Sequence, residues 1–274
     1  MPSTVSVNTG WLIGFAVTVT FAIIYPFALA VIVQLRLHVS WRYFWYGTLV
    51  FLVFQLITRV PAVYILNIIL AQQLKSSAFF RLTWRIVLAL TAGLFEEVGR
   101  YVGYRLFMSH EEKTWNKAVM YGIGHGGLES IVLIGLLGLL SLFNIIVTSS
   151  LNLNALSTSQ HALVVHQFAI INAQPSWFSL LGAWERLWTL PIQIALSVMV
   201  LQVFRRKNIA WLWLAIAAHA VVDFTPVKIS QMLGKSSSPL LFTESIIALF
   251  GIVALIIIWK LCDTPIQEFG SVEQ

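Results

Sequence analysis

Long apolar runs separated by short polar stretches dominate the chain, and their lengths decide the fold class. Seven runs reach roughly 20 residues or more, the length that crosses a bilayer: Trp11–Gln34, Tyr43–Leu70, Leu82–Met108, Ala118–Thr148, Trp177–Phe204, Ile209–Leu233 and Leu240–Leu261. Strands of a membrane β-barrel would alternate apolar and polar residues over short segments, and these runs do not alternate. The pattern predicts an all-α, polytopic transmembrane helical bundle, one domain over residues 1–274 with no internal repeat. The opening MPSTVSVNTG carries no basic side chain, so the first run reads as a spanning helix, not a cleaved signal. Pro61 and Pro191 predict kinks in the second and fifth spans. Residues 149–176 form a polar connection without Lys, Arg, Asp or Glu, and the apolar stretch Ala162–Ile170 inside it predicts a short helix or re-entrant piece.

Composition turns this pattern into a location. Hydrophobic residues make up 58% of the chain and charged residues 10%, with a mean hydropathy of +0.84. A soluble chain of this size could not keep such a surface in water, so the protein is expected to be integral to a lipid bilayer. The single cysteine, Cys262, excludes an internal disulfide and a cysteine-rich metal site. The net charge of +6 reads as topology and not as a nucleic-acid footprint. Arg36, Arg42, Lys113, Lys117, Arg205, Arg206, Lys207 and Lys260 fall at one set of span ends, and Lys75, Arg81, Lys228 and Lys235 at the other. The heavier side is expected to be cytoplasmic, which puts the N-terminus and the 149–176 connection outside and the C-terminus inside. Most tryptophans lie near span ends, as interface anchors do.

The remaining charges are where the chemistry is expected. Glu96, Glu97, Glu129, Glu185 and Asp223 lie within the apolar spans, together with His125 and His219. A charge at the bilayer centre costs about 3 kcal/mol on insertion scales, so each needs a partner or a purpose. At about 1.5 Å per residue from the cytoplasmic ends, Glu96, Glu97, His125, Glu129, His219 and Asp223 fall at depths of roughly 11–21 Å. Three helices therefore carry ionisable groups to a similar level.

Spacing suggests how they pair. In GLFEEVGRYVGYR, Glu96 and Arg100 are one turn apart, and the plainest interpretation is a structural ion pair. A second adjacent carboxylate, Glu97, exceeds what one arginine satisfies and suits a general base or acid. In MYGIGHGGLES, His125 and Glu129 share a face, and Gly122 and Gly126 fit close helix packing. In AIAAHAVVDF, His219 and Asp223 are likewise one turn apart, so that the carboxylate would fix the imidazole tautomer. Arg59 needs an anion, with Glu185, Glu129 or a watery cavity as the choices. Glu185 and Arg186, being adjacent, are not expected to face each other. His38, His110, Glu111, Glu112, His161 and His166 read as solvated loop residues, and Glu244 as an interfacial residue that snorkels.

The ordered set EE-xx-R, Tyr121-xxx-His125 and His219-xxx-Asp223 resembles the CPBP-type intramembrane endopeptidases. That group includes the prenyl-protein (CAAX) processing proteases, the PrsW-like proteases and the YhfC-type membrane peptidases. GLFEE-x-x-R, GHGG-x-E and the Glu185–Arg186 pair look most like the YhfC type, over roughly Ala92 to Phe224. Arg100 comes one residue earlier than in many CPBP members, and Asp223 stands where those end in Asn, as in the PrsW-like branch. The resemblance implies peptide-bond hydrolysis within a bacterial inner membrane, on a membrane-associated polypeptide substrate. In its preferred, cofactor-free form, Glu96, or else Glu97, deprotonates a water positioned by His125, and His219 aligned by Asp223 stabilises the oxyanion. In its metal form one Zn²⁺ is held by His125, His219 and either Glu96 or Asp223, although no HExxH is present. Arg100, Glu129, Glu185, Arg59 and Tyr121 are the supporting residues. Two other classes stand beside the protease: a non-catalytic scaffold of the same fold, and a proton-coupled transporter using the same groups as a relay.

Overall fold

Polar side chains start the helices where the apolar runs begin. Asn8 accepts from the backbone of Gly10 and Trp11 at 2.8 and 3.2 Å, and Ser77 accepts from Phe80 N at 3.2 Å, satisfying N–H groups that a helix leaves unpaired at its start. The computed structural model describes residues 3–233 and 237–262, with side chains of the final segment from Leu240 onward. Lys235, counted above on the lighter side, lies outside the described residues. Among the described residues seven helices are long and apolar enough to span a membrane: Thr9–Leu37, Arg42–Ile69, Ala78–Phe107, Trp115–Ser149, Ser176–Arg205, Ala210–Leu233 and Leu240–Lys260. No strand occurs among the described residues. The protein is a multi-pass, all-α integral membrane protein.

Two spans depart from α geometry. The second is π-helical over Leu52–Arg59, where Val60 N–H reaches back five residues to Gln55 O. Pro61 follows directly, and its missing N–H removes the bond that would close an ordinary turn on Ile57. The fourth is π-helical over Ile131–Leu136. Pro191, by contrast, sits inside the continuous helix Leu181–Arg205.

The fifth span is the hub. Every residue from Leu190 to Val203 is buried, and it touches the first, third, fourth, sixth and seventh spans. A helix apolar all round belongs in such a centre. The outer spans instead turn Ile13, Ile24, Leu35, Ile57, Ile68 and Leu140 outward, where lipid is the solvent. Small residues set the close contacts between spans, two of them beside the polar interior. An ideal Cβ on Gly126 would stand 2.6 Å from Gln193 Cβ, and one on Gly93 would stand 2.7 Å from Ile216 O and 3.3 Å from His219 Cβ. Glycine at position 93 therefore lets the third span press directly on the turn that carries His219.

The connection before the fifth span holds the helix Thr158–Asn172, opened by a Ser157–Gln160 capping box. It is tied to the start of the chain: Asn8 N donates to Asn172 Oδ1 at 2.9 Å, Asn172 Nδ2 to Ser6 O at 2.8 Å, and Leu153 N to Ser3 O at 2.8 Å. The N-terminal segment and this connection thus lie on one side of the bundle. His161, expected to be solvated, is only 6% exposed in this helix, because it lies on the turn that packs inward. His166 is exposed as expected.

Candidate active site

One stripe of the third span, Ala89, Ala92, Gly93, Glu96, Glu97, Arg100, Gly103 and Tyr104, is buried, so both glutamates and the arginine enter the protein interior. Glu96 and Glu97 point to different neighbours. Glu96 Oε2 lies 3.0 Å from His125 Nε2 of the fourth span and 3.9 Å from His219 Nε2 of the sixth. Arg100 Nη2 is 3.8 Å away on its own helix. Glu97 Oε1 takes the short contact from Arg100 Nη1 and accepts from His219 Nδ1 at 2.7 Å. Each histidine is therefore matched by a glutamate of another helix.

This corrects the pairing expected from spacing. Asp223 Oδ2 is 3.7 Å from His219 Nε2, longer than a hydrogen bond, and its side chain remains 41% exposed. Glu129 does not meet His125 and instead accepts from Arg186 Nη1 at 3.1 Å and from Gln193 Nε2 at 2.5 Å. At both histidines, contacts one turn apart along a helix lost to contacts across helices, while Arg100 keeps its same-helix contact with Glu97. Arg186 also pairs with Glu185, since their long side chains bend toward each other despite adjacent backbone positions. Arg59 reaches neither Glu185 nor Glu129 and donates to Leu88 O at 2.6 Å, with longer contacts to Thr91 and Gln55. Tyr121 is buried with its ring on Tyr104, centroids 4.7 Å apart, and its hydroxyl has no hydrogen-bond partner. Glu244 does not snorkel: it is 7% exposed, and its Oε2 is buried without a hydrogen-bond partner among the described residues.

Gln193 is the residue that sequence reasoning missed. Its Oε1 accepts from Arg100, and its Nε2 donates to Glu129, linking the two acidic groups through one amide. A polar contact chain thus runs from His125 through Glu96, Arg100, Gln193, Glu129 and Arg186 to Glu185. The available signal was an isolated amide in the apolar run LPIQIAL, two residues after Pro191.

Two cavities flank the sixth span, and Asp223 lines both. One of about 560 Å³ extends from His219 and Asp223 past Gln193 to Glu129, Glu185, Arg186 and Glu244. The other, of about 340 Å³, lies between Asp223 and the arginines Arg59 and Arg85. Glu96, Glu97 and Asp223 outnumber Arg100 in the central group, and Arg59 has no carboxylate within ion-pair distance among the described residues. Excess negative charge in a low dielectric calls for a proton or a cation.

The donor types suit a metal only in part. Two imidazoles and a carboxylate are a zinc-protease set, and ligands about 2.0–2.1 Å from a tetrahedral ion stand roughly 3.4 Å apart, between the separations of 3.0 and 3.9 Å seen at Glu96 Oε2. Among the described residues no group of three or more His, Cys, Asp or Glu side chains is placed to hold a metal ion. His219 fits a ligand well, because Glu97 engages Nδ1 and leaves Nε2 toward Glu96. His125 fits less well, because its Nδ1 is buried without a partner.

Comparison with known proteins gives the same direction. Residues 21–257 match the family model described as YhfC intramembrane metalloprotease. A Bacillus subtilis (strain 168) protein described as uncharacterized membrane protein YhfC is 30% identical over 248 residues, covering 89% of this chain and 93% of that protein. No solved structure matches significantly.

Proposed function

Because the chain belongs to the YhfC intramembrane metalloprotease family, we propose that it is an endopeptidase cutting membrane-associated polypeptides, with Glu96, His125 and His219 at its centre. The observation that supports this most is the approach of two imidazoles, from separate helices, to the one carboxylate oxygen Glu96 Oε2. The larger cavity reaches this group at His219 and Asp223, though neither Glu96 nor His125 lines it, and it offers space that a fully paired scaffold would not need.

His125, His219 and Glu96 would hold the metal. When bound, a zinc ion there would polarise a peptide carbonyl and acidify a water. The chain's own groups do the rest. Glu97 accepts from His219 Nδ1, fixing the tautomer that turns Nε2 toward Glu96. Without a cation between them, the Nε2 lone pair and a carboxylate oxygen would face each other unfavourably. Arg100 holds Glu97 in place and is itself braced by Gln193. Asp223, the least engaged carboxylate of the central group and at the edge of both cavities, takes the proton of the attacking water and returns it to the leaving amine. The products are a new carboxyl terminus and a new amino terminus.

A second reading uses no metal: Glu96 accepts the water's proton, while His125 and His219 orient the water and the carbonyl oxygen. The unpartnered His125 Nδ1 favours it. If Nε2–H donates to Glu96, only a lone pair is orphaned, whereas ligation through Nε2 would orphan a buried N–H. The same proposal sets the N-terminus outside, supported by the basic residues near the opposite span ends; Arg42 and Lys117 meet there on Glu111 at 2.6 and 3.3 Å.

The test is cleavage of transmembrane peptides by purified full-length protein, beside Glu96→Gln and His219→Ala, with zinc content measured. Both substitutions should abolish cleavage, and a chelator should remove an activity that zinc restores. Chelator-resistant cleavage by zinc-free protein would select the metal-free reading, and cleavage by Glu96→Gln at the wild-type rate would overturn both.

A further inference from the structure

The larger cavity does not end at the proposed catalytic centre. From His219 and Asp223 it runs between the fifth, sixth and seventh spans to a second acidic group, Glu129, Glu185 and Glu244. Arg186 is the cation in that group, and it is engaged by both Glu129 and Glu185. Glu244 has no share in it. It is only 7% exposed, it lines the cavity, and its Oε2 makes no hydrogen bond among the described residues.

Two states of Glu244 are unsatisfied in isolation. Ionised, its buried Oε2 lacks a donor; protonated there, its O–H lacks an acceptor. A group that stays so placed inside a membrane protein is a functional candidate by default. Two carboxylates already share one arginine beside it, so the missing partner is a donor that also brings positive charge. An ammonium or guanidinium does both.

We propose that this end of the cavity is a specificity subsite for a basic side chain, Lys or Arg, of the polypeptide substrate, with Glu244 as its principal acceptor. The proposal rests on the protease reading for its meaning, because the cavity connects the subsite to His219 and Asp223. A substrate in this groove would place its basic residue on the span-seven side, within a few residues of the bond lying at the catalytic centre. The seventh span, which otherwise carries no charge between Glu244 and Lys260, thereby contributes to substrate choice.

Binding is read first, on Glu96→Gln protein, so that it does not depend on turnover. The probes are fluorescent transmembrane peptides of one sequence, carrying Lys, Gln or Glu at positions stepped along one end. At one or two adjacent positions the Lys peptide should bind about tenfold or more tightly than the Gln peptide, as expected for a desolvated charge pair. In Glu96→Gln/Glu244→Gln protein that ratio should fall to about one, while thermal stability should not fall, because an unsatisfied buried carboxylate has been removed. Glu244→Asp should recover part of the ratio. An equal Lys preference with and without Glu244, or no Lys preference at any position, would overturn the subsite. Wild-type protein is then tested for cleavage of the same peptides. The Lys preference without any cleavage would keep the subsite and defeat the protease reading; cleavage without the preference would do the reverse.

Discussion

Glu96 and Glu97 are neighbours in sequence, both buried, yet their substitution should separate fold from chemistry. Glu97 engages Arg100 and His219, and Arg100 is completely buried. Glu97→Gln leaves that guanidinium with Glu96 as its nearest carboxylate, at 3.8 Å. Breaking a buried pair by removing one partner costs about 3–5 kcal/mol. At about 2–4 °C per kcal/mol for a chain of this size, even about 3 kcal/mol lowers Tm by roughly 6–12 °C. Glu96→Gln keeps an oxygen for His125 and leaves the Glu97–Arg100 pair whole, so its stability change should stay within about 1 kcal/mol, the worth of an ordinary hydrogen bond. Its activity should fall about 10²–10⁴-fold or more, whether Glu96 is lost as a metal-holding group or as the general base of the metal-free reading. The assay is thermal unfolding of each variant in detergent, beside peptide cleavage under identical conditions. Equal Tm losses in the two variants, or a Glu97→Gln protein as stable as wild type, would refute the division of roles.

Three further outcomes test the surrounding structure. Gly93→Ala puts a methyl group 2.7 Å from Ile216 O, so the sixth span must move; activity should drop on the order of 10²-fold, with kcat affected more than KM, and full activity would contradict the close contact. Arg186→Met strands Glu129 and Glu185 in the cavity wall and should lower stability by about 3 kcal/mol in chemical or thermal denaturation, with Arg186→Lys recovering part of the loss. Between the third and fourth spans, the Tyr43 hydroxyl, then Lys117 and Arg42, hold the Glu111 carboxyl below its ordinary range. A depressed folded pKa stabilises above the unfolded value and is lost as pH falls through the folded one. Tm measured against pH should therefore decline on the acid side less steeply in Glu111→Gln than in wild type.

Much of this was legible in the chain. The seven spans follow from run length alone, because a helix must satisfy its own backbone across about 30 Å of hydrocarbon whatever its neighbours do. Their ends differ from the expected ones by a few residues, set by caps such as Asn8 and Ser77. That Glu96, Glu97, His125 and His219 belong together was also readable, since burying charge in a membrane demands partners and these stand at one depth. Spacing misled on who partners whom. It favoured His125 with Glu129 and His219 with Asp223, because residues four apart share a helix face. Sharing a face does not mean touching.

Sequence by itself determined the membrane class, the number of spans and the set of ionisable groups confined to the interior, because these depend on hydrophobicity and length, which are local properties. Tertiary structure decided the rest. Only the packing of the third span against the sixth sets Glu97 on His219 and Glu96 before both imidazoles. Only the buried fifth span makes Gln193 the link between Arg100 and Glu129, and only the packing of the spans leaves Glu244 Oε2 without a hydrogen bond, among the described residues, in a cavity wall. The physical reason is reach. A side chain extends several ångströms in a direction fixed by how its helix is turned and pressed against others, and that turning is settled by the sum of contacts along every span.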